Sequence, residues 1–133
     1  MAINRNKVLD AARKYQSRGQ YDKAIVQYKK LVDTDKRDVR SLLKIGDLYV
    51  RKGDRGSAIE TYETVAGHYA QQGFFLKAIA VYKQILKLDP SRLDAQVRLG
   101  EMYEQLQLIS DAMSVFEDVS SAFMRTRDTD QAL

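Results

Sequence analysis

Alanine recurs in this chain in a regular alternation: Ala24, Ala58, Ala78, Ala112 and Ala132 each open a helix-like stretch, at steps of 34, 20, 34 and 20 residues. Two steps make a 54-residue unit. Residues 39–79 slide onto 93–133 without a gap, placing Gly46 on Gly100, Tyr49 on Tyr103, Ala58 on Ala112, Glu63 on Glu117, Val65 on Val119 and Ala78 on Ala132. Repetition at this length restricts the fold strongly. Each unit is one supersecondary element that cannot bury its apolar face alone, so successive units must stack.

The units are helical. Apolar residues recur with the 3.6-residue helical period and nowhere alternate, and one Pro with seven Gly in 133 residues leaves few turns for a β protein. The spacing predicts helices near 3–18, 21–34, 39–52, 55–72, 74–88, 92–106 and 109–126. Gly19, Gly53 and Gly73 fall where helices should stop. Gln107 stands in that place after the sixth helix, which predicts a less sharp end there. Ser91, with Asp94 three residues on and Pro90 before it, reads as a capping box.

Within each 34-residue step a small residue and a Tyr precede an Ala and an aromatic. The sets are Ala12, Tyr15, Gly19, Ala24, Tyr28; Gly46, Tyr49, Gly53, Ala58, Tyr62; Ala66, Tyr69, Gly73, Ala78, Tyr82; and Gly100, Tyr103, Ala112, Phe116. Small residues let helix backbones approach, and each aromatic fills the space between neighbours. In this the chain resembles the tetratricopeptide repeat (TPR) family over nearly its whole length. It departs from the family pattern where a Trp is usual, with Val8, Leu42 and Gln96 there instead, and the closing Pro occurs once, as Pro90. The resemblance implies an all-α fold of about seven helices, antiparallel helix pairs stacked as a right-handed α-solenoid. It makes residues 1–133 one repeat domain with helix pairs at about 3–34, 39–72, 74–106 and 109–126. The 20-residue step departs from simple pairing, because helix 55–72 must serve as the second helix of one pair and the first of the next.

Chemistry is poorly provided for. Without Cys there is no disulfide, thiolate metal site or cysteine nucleophile, a composition that suits a reducing, cytoplasmic setting. The single His68 has no partner set for zinc or general-base work. All eight Tyr sit at repeat positions or just after a turn, where packing uses them. No Gly-rich phosphate loop is present. We therefore expect no enzyme activity, no cofactor and no metal. No apolar run approaches the ~20 residues that cross a bilayer, so no membrane insertion is expected. The basic residues are mixed with Asp10, Asp22, Asp33, Asp35, Asp38 and Asp47 instead of forming a stripe with interleaved aromatics, which argues against nucleic acid.

What remains is protein recognition. Residues 1–55 hold 15 Lys/Arg against 7 Asp/Glu, and residues 56–133 hold 7 against 11. Such polarity steers an acidic partner to one end, or favours head-to-tail contact between copies. In the resembled family the first helix of each pair lines the concave, binding side. By helical spacing that side carries Asn6, Leu9, Arg13, Gln16 and Ser17 on the first helix, and Arg40, Leu43, Lys44, Asp47, Val50 and Arg51 on the third. Mixed apolar and cationic, this surface would suit an amphipathic acidic segment; packing between helices is the competing role for its apolar members. Phe74 and Leu108 stand where Gln20 and Asp54 are polar, and are further candidate contacts. The TPR subclass that reads a C-terminal carboxylate uses Lys and Asn, whereas Leu9, Arg13, Leu43 and Asp47 occupy those places here, which argues against a chaperone-tail receptor. The expected role is a scaffold or adaptor for a protein or peptide in a larger bacterial-type assembly, with self-association as the alternative.

The register also bears on the end of the chain. It sets Phe123 on Tyr69, Arg127 on Gly73 and Ala132 on Ala78, so a further helix is expected to begin near Ala132, as in a piece of a longer protein. Val115, Phe116, Val119, Ala122 and Phe123 would then be partly uncovered, with fraying from about Asp128.

Overall fold

The computed structural model describes residues 3–132, with side chains through Asp128. It is all-α: α1 (Arg5–Ser17), α2 (Tyr21–Thr34), α3 (Val39–Lys52), α4 (Arg55–Gln71), α5 (Phe75–Leu88), α6 (Leu93–Gln105) and α7 (Ile109–Ala132), with no strand among the described residues. The chain divides into two compact units, Met1–His68 and Tyr69–Leu133, and the boundary falls inside α4.

In the first unit α2 packs against both α1 and α3. Ala12, Ala24, Ile25, Tyr28, Leu31, Ile45 and Leu48 form its core, with Val8, Tyr15, Tyr21 and Tyr49 packed around them. α3 and α4 approach closely at Gly46: a β-carbon there would lie 2.5 Å from Cε1 of Tyr62, a fully buried ring. In the second unit α6 packs against α5 and α7 over Ile79, Tyr82, Ile85, Leu99 and Met102. Gly100 repeats the close approach, its added β-carbon meeting Phe116 at 2.5 Å. Glycine is required at these crossings because the neighbouring ring occupies the volume of a side chain.

The hairpin turns are alike. Gly19, Gly53 and Gly73 adopt φ of +72°, +88° and +79°, and the next residue donates its N–H to the carbonyl of Tyr15, Tyr49 or Tyr69, each at 2.9 Å. This is a left-handed helix stop that recovers a carbonyl left over at the helix end. Gln107 corrects the expectation of a looser end to α6: it adopts φ +59°, and Leu108 N–H reaches the Tyr103 carbonyl at the same 2.9 Å. The bond geometry of the turn, repeated from the other hairpins, overrides the preference of the residue.

The expected capping box at Ser91 is not formed. α6 starts at Leu93 with Arg92 at the N-cap and no side-chain cap bond. Ser91 instead gives its N–H and its hydroxyl to Asp89 Oδ1, at 3.2 and 2.7 Å. The same local turn occurs one unit earlier, where Arg37 N–H donates to Asp35 Oδ1 at 3.0 Å. Side-chain caps occur at α3 and α4 through Asp38 with Ser41 and Asp54 with Ser57.

α7 is the other departure. It was expected to end near 126 with a turn at Arg127; the helix runs on to Ala132, so a new helix does not start there. The cause is visible at the equivalent position, where Gly73 stops α4 in the left-handed conformation and Arg127 supplies no such stop. Along α7, Val115, Phe116, Val119 and Ala122 are half-buried and Phe123 is exposed.

The 54-residue duplication extends to side-chain contacts. Lys23 lies over the Tyr15 ring at 5.8 Å, and Lys77 over Tyr69 at 5.7 Å; Lys29 lies over Tyr49 at 5.8 Å, and Lys83 over Tyr103 at 5.9 Å. Each pair recurs one repeat later, so cation–π contacts are part of the repeated architecture.

Candidate functional site

Helices α1, α2 and α3 of the first unit enclose an open cleft of about 650 Å³. α1 supplies Arg5, Leu9, Arg13, Gln16 and Ser17, and α3 supplies Arg40, Ser41, Lys44 and Arg51. Tyr28 from α2 lies between them. Helical geometry explains the grouping: Arg5, Leu9 and Arg13 follow one another at four-residue steps, as do Arg40 and Lys44, so each set keeps to one helix face.

The cleft is strongly cationic. Arg5 is neutralised, its Nη2 lying 2.9 Å from Asp38 Oδ2. Burial would push the Asp38 carboxyl up, but two hydrogen bonds from Ser41 and the Arg5 guanidinium outweigh it and hold the group below its ordinary value. Asp38 is thereby committed to capping α3 and holding α1 beside it. Arg13, Arg40, Lys44 and Arg51 have no carboxylate within ion-pair distance among the described residues. Burial pushes the Tyr28 hydroxyl up and the nearby Arg13 charge opposes that shift. A half-buried Leu9 and the buried Tyr28 ring thus sit among four exposed, unneutralised cations.

The fold does not demand those charges. One repeat later the positions of Arg13, Arg40, Lys44 and Arg51 hold Gly67, Asp94, Arg98 and Gln105, and Leu9 becomes Glu63. Arg98, the one cation retained, is bonded to Glu101 at 3.0 Å. A cleft in the second unit, of about 440 Å³ and lined in part by Gln96, Asp118 and Arg125, balances one anion against one cation.

Of the surface expected from helical spacing, Leu9, Arg13, Gln16, Ser17, Arg40, Lys44 and Arg51 line this cleft and Asn6, Leu43, Asp47 and Val50 do not. Asn6 is exposed elsewhere on α1, Leu43 is half-buried and Val50 is 39% exposed. The Asp47 carboxylate accepts the Tyr62 hydroxyl, which ties it to the α3–α4 crossing. Phe74 and Leu108 lie in turns outside the cleft, 49% and 41% exposed, and Lys77 covers the Phe74 ring at 5.1 Å. Helical spacing alone missed Arg5, Tyr28 and Ser41. An Asp38 cap with a basic residue one helix away was the available signal for Arg5; Tyr28 carried only the signal of a packing residue.

Among the described residues no cluster of three or more His, Asp or Glu could hold a metal ion, and no helix is long and apolar enough to cross a membrane. The cleft offers shape, apolar contact and positive charge, and the Ser41 hydroxyl in its lining is held on the Asp38 carboxylate at 2.7 Å.

Family models described as TPR repeat and tetratricopeptide repeat match residues 12–53, 40–71 and 69–130, together spanning most of the chain. Mouse tetratricopeptide repeat protein 14 is 27% identical over 67% of this chain; the chain spans 14% of that protein's length. Among solved structures, the MamA protein is 20% identical, with 93% of this chain and 94% of that one covered at a TM-score of 0.46. The first TPR domain of Spaghetti (RPAP3), bound to the HSP90 peptide SRMEEVD, is 21% identical with 96% and 91% covered at a TM-score of 0.42.

Proposed function

The chain belongs to the tetratricopeptide repeat family, and from that premise we propose that it is a non-catalytic cytoplasmic adaptor that captures an acidic, amphipathic segment of a partner protein in the α1–α3 cleft. The observation that carries this reading is the set of four cations without carboxylate partners around Leu9 and Tyr28. Like charges held together on a folded surface repel one another, and a ligand carrying carboxylates relieves that repulsion while its apolar side chains cover the half-buried Leu9. Arg13, Arg40 and Arg51 present guanidinium forks suited to carboxylates, and Lys44 adds a mobile point charge. The mixed character of the site favours peptide over nucleic acid, since the described cleft has no exposed aromatic platform on which bases could stack.

The test is a fluorescence-anisotropy titration with a labelled peptide alternating Asp/Glu with Leu, against the whole chain. Binding should weaken about tenfold or more when Arg13, Arg40 and Arg51 are changed together to Glu, and should fall as salt is raised because these charges are exposed. Affinity unmoved by either change would remove the cleft from the account.

A further inference from the structure

The turn into α5 is apolar where the turn into α2 is polar. Phe74 and Leu76 are 49% and 70% exposed, and one repeat earlier their places are held by Gln20 and Asp22. Leu76, Ala80, Lys83 and Lys87 follow at steps of four, three and four, so they share one exposed face of α5. Ala78, Ile79, Tyr82 and Ile85 turn into the core on the other side. Packing therefore asks for nothing apolar at Phe74 or Leu76, and two such side chains left open together point to a ligand.

The charge on this face has one sign. Between Glu63 and Asp89 the sequence holds no Asp or Glu, while α5 carries Lys77, Lys83 and Lys87. None of the three lysines has a carboxylate within ion-pair distance among the described residues. α2, built to the same pattern, carries Asp22 and Asp33 beside its lysines, and in α5 those two places hold Leu76 and Lys87. Lys77 and Lys83 keep the ring contacts of Lys23 and Lys29, so the features peculiar to α5 are the loss of both carboxylates and the gain of Phe74, Leu76 and Lys87.

We propose that this face of α5 docks on an anionic lipid surface, with Phe74 and Leu76 entering the headgroup layer and the three lysines meeting its negative charge. An apolar tip beside cations and free of carboxylates is what such a surface attracts. Lysine stems are long enough to keep their ammonium groups in water while the neighbouring apolar side chains sink. At the tip itself Lys77 holds its charge 5.1 Å over the Phe74 ring. Phe74 and Leu76 line neither of the clefts described above, and a bilayer takes in projecting side chains without a matching pocket. The contact is superficial, since no helix among the described residues is long and apolar enough to cross a membrane. With so small an apolar tip it is reversible, and it weakens as salt rises.

Vesicle flotation of the whole chain tests this. One set of vesicles is phosphatidylcholine alone and the other is phosphatidylcholine mixed with an equal part of phosphatidylserine. The wild-type chain should float with the mixed vesicles and far less with phosphatidylcholine alone. A tip variant, Phe74→Gln with Leu76→Asp, places the first repeat's residues at exposed positions and should lower binding about tenfold or more. Lys87→Asp, made on the same principle, should lower it about fivefold or more. A cleft variant, Arg13→Gln with Arg40→Gln, should bind nearly as the wild type does, which separates α5 from the cationic cleft. Circular dichroism checks that all three variants stay folded. A tip variant that floats like the wild type, equal binding to both kinds of vesicle, or loss of binding in the cleft variant alone would each overturn the proposal. A wild-type chain that ignores both kinds would overturn it too, and would leave the face to a protein partner.

Discussion

A methyl group at position 46 would stand 2.5 Å from the buried ring of Tyr62, whose hydroxyl is fixed on Asp47. The ring therefore cannot swing away without breaking that bond. Gly46→Ala should lower stability by about 1–3 kcal/mol in urea unfolding, the overpacking cost exceeding the ~1 kcal/mol gained from helix propensity. Gly100→Ala should cost less, since Phe116 is only half-buried and has no hydroxyl to anchor it; equal losses would contradict this reading of the two crossings. Gln107→Gly should raise stability by about 1 kcal/mol by relieving the left-handed backbone, read as an increase in melting temperature. Asp38 gives a pH dependence with a definite sign. Its folded carboxyl is held below the unfolded value, so the stabilisation is present at neutral pH and disappears as pH falls through the folded value. Asp38→Ala should cost about 1–2 kcal/mol at neutral pH, and the gap from wild type should narrow below about pH 4. The close-packed glycines were legible in the sequence because they recur in register. The conformation of Gln107 was not, because nothing in a glutamine marks it for positive φ.

At the scale of elements the sequence was most informative where a break is enforced by local chemistry. α2 and α3 occupy the expected residues 21–34 and 39–52, bounded by Gly19, the Asp35 turn and Gly53. It was least informative where a break depends on what is missing. Ser91 and Asp94 matched a capping pattern, yet Asp89 took the Ser91 hydroxyl first, and a pattern of residue types cannot rank competing hydrogen bonds. Likewise α7 runs through Arg127, where the equivalent Gly73 adopts positive φ after α4, because repeat register alone does not end a helix. Helix crossings are a firmer consequence of the repeat. Ala58 and Ala78 are fully buried, so leucine at either position should destabilise by about 1–3 kcal/mol. Unchanged unfolding midpoints for both would show the repeat register to be misplaced.

On the scale of the whole molecule, duplication accounts for the architecture, and divergence marks the surface proposed to bind. The turns, the Gly–aromatic crossings and the cation–π pairs recur at 54 residues, whereas Arg13, Arg40 and Arg51 do not survive into the second copy. Shared features answer to packing, and unshared surface charge is free to answer to a ligand. Most of the cleft lining was therefore legible in the sequence, through its cations and their helical spacing. The rest was not, because a helical wheel shows which residues share a side without showing which edge of that side a neighbour covers. Asp47 and Leu43 flank Lys44 closely in sequence, yet one is spent on Tyr62 and the other is half-buried off the cleft. Amide chemical-shift mapping of the whole chain with the acidic peptide tests the central claim most directly. The account predicts that the largest shifts fall on α1 and α3 around Leu9, Arg13, Arg40, Lys44 and Arg51, fading as salt is added. Shifts centred instead on α5 to α7, with α1 and α3 unmoved, would contradict it.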